Sequence, residues 1–232
     1  MSAYDKKPVF LIALALLVAC LSCGHDDPDV PPTPIEPPTP TEPDKPTEPD
    51  KPDKPDKPDK PTEPDKPEGT FVASEISIGF DGLLNFYAGR AHVCDTALEA
   101  AFLKHQGWQG WQCIAHPYAV HANQELTDRI AGTDMVRGIT VACGGFYGPQ
   151  GRSLRLPLAD PEANQKIMDF EYSGHRITNF EMESSALAGL SLLLGHKATT
   201  CCMVIANRLA GKANPNYKNS IDSLIELVLE RI

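Results

Sequence analysis

Regular hydrophobic patterning occupies two separate parts of the chain. An apolar run, Val9–Ala19, follows Lys6 and Lys7, and ordered periodicity resumes only after residue 70. There Glu75-Ile76-Ser77-Ile78 alternates with period two, which predicts a strand, and Gly79-Phe80-Asp81-Gly82 turns the chain. Thr96 with Glu99 three residues on forms a capping box for a helix that places Leu98, Ala101 and Phe102 on one face. Ile114–Val120 reads as a strand with Pro117 at a bulge or edge, and Asn123 caps a short helix carrying Leu126 and Ile130. Met135–Cys143 and Ala198–Ala206 read as buried strands. Asp160-Pro161 starts a helix, and Met182–Leu194 is an apolar helix stopped by Gly195. Ile221, Leu224, Ile225, Val228, Leu229 and Ile232 fall on one face of a terminal amphipathic helix. Strands separated by helices predict an α/β fold around a mixed, partly parallel sheet.

The N-terminal run has the length of a signal-peptide core and is too short to span a bilayer, which needs roughly 20 apolar residues. It ends in Leu17-Val18-Ala19-Cys20, which resembles the lipobox of bacterial lipoproteins, in which the cysteine is lipidated. Cys23 is the alternative acceptor, and a plain secretory signal the alternative reading. Residues 1–23 are therefore expected to be a signal, which places the rest of the chain at the membrane outside the cytoplasm, periplasmic or on the cell surface. A non-functional signal would leave it cytoplasmic.

Composition separates the remainder. Of 22 prolines, 16 fall between Pro28 and Pro67, nine of them in Asp-Lys-Pro and Thr-Glu-Pro-Asp-Lys-Pro repeats from Thr41 onward. Proline at every third position favours extended polyproline II, so about 40 residues reach on the order of 120 Å. Residues 24–70 carry 14 acidic side chains against six lysines, most of the net charge of −10. They are expected to be a disordered tether, and residues 71–232 one nearly neutral domain. No basic footprint for nucleic acid is present. The cysteines beyond the signal lack CxxC spacing, and Cys143, Cys201 and Cys202 sit in apolar runs, as small hydrophobes do. His116 and His121 are five apart, without the spacing of a helical zinc site, so no metal is expected.

Two loops carry candidate chemistry. Gly144-Gly145-Phe146-Tyr147-Gly148-Pro149-Gln150-Gly151-Arg152 follows a predicted strand, where α/β sheets bind ligands. It offers an aromatic plane at Phe146, an amide at Gln150 that donates and accepts at once, and a guanidinium at Arg152. The same composition also suits an ordinary surface loop. Asn179-Phe180-Glu181-Met182-Glu183-Ser184 opens the apolar helix, where acids suit the helix dipole. Glu181 and Glu183 do not share a helical face, so one can meet a ligand while the other stays structural. Arg208, after Val204-Ile205-Ala206-Asn207, is either a strand-end charge or a second ligand-side cation.

These three motifs, in this order, resemble those of the nucleoside phosphorylases, within them the uridine phosphorylases, over nearly all of 71–232. The resemblance implies their three-layer fold and cleavage of a nucleoside such as uridine by inorganic phosphate, the co-substrate, with no cofactor. It implies that Phe146 stacks beside the base, Gln150 and Arg152 read its N3–H and carbonyls, and Ile205, Ala206 and Arg208 complete the base pocket. Met182 would pack on the ribose and Glu183 bind its hydroxyls. Glu183 and Arg208 would then be the catalytic pair, since a carboxylate on the ribose and a cation by the base both bind more tightly as charge separates. Family members form dimers and larger rings, which implies a homo-oligomer.

The resemblance starts near the Ser74–Asp81 strand. The family's earlier strands, its glycine-rich phosphate loop and the arginines that hold phosphate have no counterpart, and Arg90 lacks that context. A truncated fold without those N-terminal strands is expected, and no phosphate-binding residue is identified. Two readings follow: an enzyme of the uridine phosphorylase lineage, or a membrane-tethered, non-catalytic nucleoside-binding remnant or truncated fusion product.

Overall fold

The computed structural model describes residues 69–109, 115–207, 212–214 and 217–232. The expected signal with Cys20 and Cys23, the tether up to residue 68, Ile114 and Arg208 lie outside the described residues.

β1 (Phe71–Gly79) organises the sheet. Val72, Ala73, Ser74, Ile76, Ser77 and Ile78 are all buried, the near-continuous burial of a strand covered on both faces. β2 (Tyr118–His121) pairs antiparallel with its second half. β3 (Val136–Ala142) runs parallel to it from Val72↔Val136 to Gly79↔Ala142, with a register shift between Ser74 and Ile76. β4 (Glu171–Tyr172) and β5 (His175–Glu181) form a hairpin through Ser173 and Gly174. Their φ values of 50° and 81° are both positive, as a two-residue type I′ turn requires. β5 pairs parallel with β3 up to Ala142↔Glu181. The order is β2-β1-β3-β5-β4, with β6 (Cys201–Met203) antiparallel to the first residues of β1. β7 (Ala206–Asn207) and β8 (Lys212–Ala213) form a separate two-stranded sheet.

Helices cover both faces. Ile76 and Ile78 pack with Leu98 and Phe102 of α2 (Thr96–Gln106), and with Ile167 of α4 (Ala163–Met168). Phe102 meets Phe80, Trp108 and Phe170 at centroid separations of 5.1–6.0 Å. On the opposite face Gly79 abuts Ser185 of α5 (Ser184–Leu194). Around Ala73, α3 (Gln124–Ala131) and α6 (Tyr217–Arg231) contribute Leu126, Ile130, Leu224 and Val228. The result is an α/β fold with a mixed, partly parallel sheet. Arg90, in the short α1 (Arg90–Val93), is tied down by Glu99 at 2.8 Å and by Asn85 at 2.7 Å.

Local rules succeed where the chain decides alone. Asn123 caps α3 by accepting from Leu126 N at 3.0 Å, and Gly195 ends α5 with φ 73°. Three expectations need correction. The cap of α2 is Asp95 rather than Thr96, because Glu99 is drawn inward to accept Ala119 N at 3.0 Å and pair with Arg90. The helix after Asp160-Pro161 starts at Ala163, since Asp160 first closes a turn onto Glu162 N. In α6, Leu224 and Val228 are buried but Leu229 is 66% exposed, so the apolar face is narrower than its spacing suggests.

Asp95 joins α2 to β2, accepting from Leu98 N at 2.9 Å and lying 3.0 Å from His121 Nε2. Burial pushes its carboxyl up, but hydrogen bonds from His121, Leu98 and Ala97 outweigh this and hold it below its ordinary 3.8. A folded-state value below the unfolded one stabilises above the ordinary value, and that contribution disappears as pH falls through the folded value. Asp95→Ala is expected to cost about 1 kcal/mol in urea unfolding near neutral pH. The difference from wild type should shrink once the pH drops below 3.8.

Candidate functional site

Because β1, β3 and β5 are parallel and in register at Gly79, Ala142 and Glu181, their C-terminal ends lie side by side. Three segments leave there: Phe80–Asp81, Cys143–Arg152 and Met182–Glu183. Cys143 N donates to Glu181 O at 2.9 Å, joining the second and third. This end of parallel strands is where open α/β sheets bind ligands.

The Cys143–Arg152 loop is shaped by its own contacts. Cys143 Sγ donates to Pro149 O at 3.3 Å, and a short 3-10 turn over Gly148–Gln150 ends at Gly151, whose φ is 71°. A Cβ at Gly151 would stand 2.0 Å from Asn164 Nδ2, so glycine is required there by conformation and space together. Asn164 Nδ2 donates to Gln150 O at 3.0 Å, fixing the loop against α4. Gln150 is buried, and its Oε1 accepts from Arg152 Nη1 at 3.0 Å. Arg152 also donates to Phe146 O and lies with its guanidinium 3.5 Å from the Phe146 ring centroid. Burial lowers the Arg152 pKa, yet a guanidinium stays charged at neutral pH. Phe146, Gln150 and Arg152 are thus brought together, with one face of the aromatic ring covered by the arginine.

At the β5 end the two carboxylates separate. Glu181 is buried and caps α5, accepting from Glu183 N and Ser184 N at 2.8 Å each and from Ser184 Oγ at 2.6 Å. Burial raises its pKa against those three bonds. Glu183 occupies the N-cap position without a side-chain cap bond, and its side chain is exposed. Among the described residues its carboxylate has no hydrogen bond or ion pair, and it stands at a helix N-terminus. Met182 beside it is half-buried.

Ile205 and Ala206 are placed elsewhere. β6 runs antiparallel to β1 and ends at Met203 beside Phe71, so the chain leaves it at the start of β1. Measured along the nine residues of β1, that is roughly 26 Å from Gly79 at about 3.3 Å per residue. A cavity of about 610 Å³ opens on the α4 side of the Cys143–Arg152 loop, lined by Trp108, Tyr147, Arg152, Leu156 and Ile167 among others. Arg152 reaches this cavity, whereas Phe146, Gln150, Met182 and Glu183 do not line it.

Sequence reading missed Asp81, Tyr118 and Ser185. Asp81 Oδ2 accepts from Tyr118 OH at 3.2 Å and from Ser185 Oγ at 3.0 Å. Asp81 was legible only as a turn residue, and its partners lie 37 and 104 positions away.

The profile of the Phosphorylase superfamily matches residues 63–231. The chain belongs to that superfamily. It is 30% identical over 102 residues to uridine phosphorylase A of Schistosoma mansoni, covering 43% of this chain and 34% of the relative. A nucleoside phosphorylase of Trypanosoma brucei with uridine phosphorylase activity shares the fold, with a TM-score of 0.57 and 23% identity over 71% of this chain and 59% of that one. The chain thus spans about a third of the first relative's length and about three-fifths of the second's.

The two glutamates make a direct test of this geometry. Glu181→Ala leaves two backbone N–H groups and a hydroxyl without their acceptor and is expected to cost on the order of 2–3 kcal/mol in urea unfolding. Glu183→Ala removes an exposed group that has no bond among the described residues and should stay within about 0.5 kcal/mol of wild type.

Proposed function

We propose that this chain binds a pyrimidine nucleoside, uridine first among candidates, and acts as a phosphorylase that releases uracil and ribose 1-phosphate. The reading rests on two features at the ends of neighbouring strands: a buried Gln150 amide oriented by Arg152 on the loop after β3, and a Glu183 carboxylate after β5 with no hydrogen bond or ion pair among the described residues. Gln150 presents an amide edge complementary to N3–H and an adjacent carbonyl, and Arg152 adds a cation for the base. Stacking on Phe146 uses the ring face that Arg152 leaves free. Met182 packs on the ribose, and Glu183 accepts from its hydroxyls.

In the proposed reaction a phosphate oxygen attacks C1′ as the C1′–N1 bond breaks, and the bonding pair passes to the base, which takes up a proton to leave as uracil. The Glu183 carboxylate stabilises positive charge growing on the ribose, and the arginine stabilises negative charge growing on the base, so both interactions strengthen in the transition state. Arg208 is assigned the same base-side role on its motif alone. Ile205 and Ala206 stand apart from this cluster, and the reading does not depend on them. Residues 1–23 are proposed to anchor the protein by lipid on Cys20, with 24–70 as the spacer.

Mixing the intact chain with uridine and phosphate is expected to release uracil. Gln150→Ala should weaken uridine binding by on the order of tenfold to a hundredfold, and Glu183→Ala should lower kcat. Uridine binding without turnover in saturating phosphate overturns the enzymatic part and leaves a binding protein. For the anchor, labelled fatty acid is expected on the wild-type chain and absent from Cys20→Ala; label retained in Cys20→Ala but lost in Cys23→Ala moves the site.

A further inference from the structure

The first turn of α5 is held from two directions. Glu181 caps it along the chain, binding Glu183 N and Ser184 N. From the side, Ser185 Oγ lies 3.0 Å from Asp81 Oδ2 and 3.0 Å from Tyr118 OH, while Tyr118 OH donates to Asp81 Oδ2 at 3.2 Å. The other Asp81 oxygen accepts from Leu83 N at 2.7 Å. One carboxylate therefore ties together the turn after β1, the start of β2 and the helix that begins immediately after Glu183.

The geometry of this cluster exceeds what packing needs. Tyr118 and Ser185 are completely buried, and a phenylalanine and an alanine would fill nearly the same space without any desolvated hydroxyl. Gly79 makes room for the contact: a Cβ there would stand 2.6 Å from both Ser185 Oγ and Tyr118 Cζ. Buried hydroxyls meeting one carboxylate set an orientation, and an apolar contact does not. What they orient is the segment two residues upstream, where Glu183 projects.

We infer that Asp81, Tyr118 and Ser185 are positioning residues that set where Glu183 presents its carboxylate to the sugar of a bound nucleoside. None of the three touches the ligand. The inference rests on the proposed reading of Glu183 as the ribose-binding residue. Gln150 and Arg152, on the β3 loop, are outside the cluster, so base reading does not depend on it.

This separation supplies a test that a general loss of stability does not mimic. Dissociation constants for uridine and for uracil are measured on the intact chain by calorimetry, for wild type, Glu183→Ala, Tyr118→Phe, Ser185→Ala and Asp81→Asn, with thermal unfolding recorded for each. The expected result is about tenfold weaker uridine binding in the three cluster variants, with uracil binding within about twofold of wild type. Equal weakening of both ligands makes the cluster a packing feature and overturns the inference, as does unchanged uridine binding. Asp81→Asn alters an exposed side chain and carries the comparison if a buried substitution prevents folding. If wild type binds uridine no better than uracil, or Glu183→Ala binds uridine normally, the ribose role of Glu183 falls and this inference with it. A normal Glu183→Ala deficit with unaffected cluster variants removes only the inference.

Discussion

The candidate site depends on the parallel register of β1, β3 and β5. Matching Gly79 to Ala142 and Ala142 to Glu181 places three chain segments, from distant parts of the sequence, at one edge of the sheet. Parallel strands are joined by helical crossovers that pass over the faces, so each strand's C-terminal end is free to open into a loop. A slip of one residue would send every side chain on a strand to the other face and would separate Cys143 N from Glu181 O.

Within that frame, neighbouring residues of like charge have diverged. Glu181 and Glu183 are two positions apart, yet one is buried under three hydrogen bonds and the other is exposed, with no bond among the described residues. The division follows from the end of β5: alternation turns Glu181 inward, and its carboxylate then supplies the cap that the residue at the N-cap position would ordinarily provide. Relieved of capping, Glu183 leaves its carboxylate exposed at a helix N-terminus, where anionic oxygen is favoured.

The chain belongs to the Phosphorylase superfamily and carries an α/β fold with a mixed, partly parallel sheet. The cavity on the α4 side meets the polar loop only through Arg152, Tyr147 and their neighbours, while Gln150 stays buried behind it.

Much of this was legible locally. Asn123 as a cap, Gly195 as a stop, and buried strands around Ile139 and Cys201 all follow from short-range rules of conformation and hydrogen bonding. The motifs alone also pointed to the superfamily. Tertiary structure decided the rest: that Asp95 rather than Thr96 caps α2, because Glu99 is claimed by β2; that β6 leaves Ile205 and Ala206 at the far end of β1; and that Asp81, Tyr118 and Ser185 meet. These outcomes turn on competition between partners far apart in the chain. Local propensity has no access to it, since the winning contact exists only once the sheet has brought its strands together.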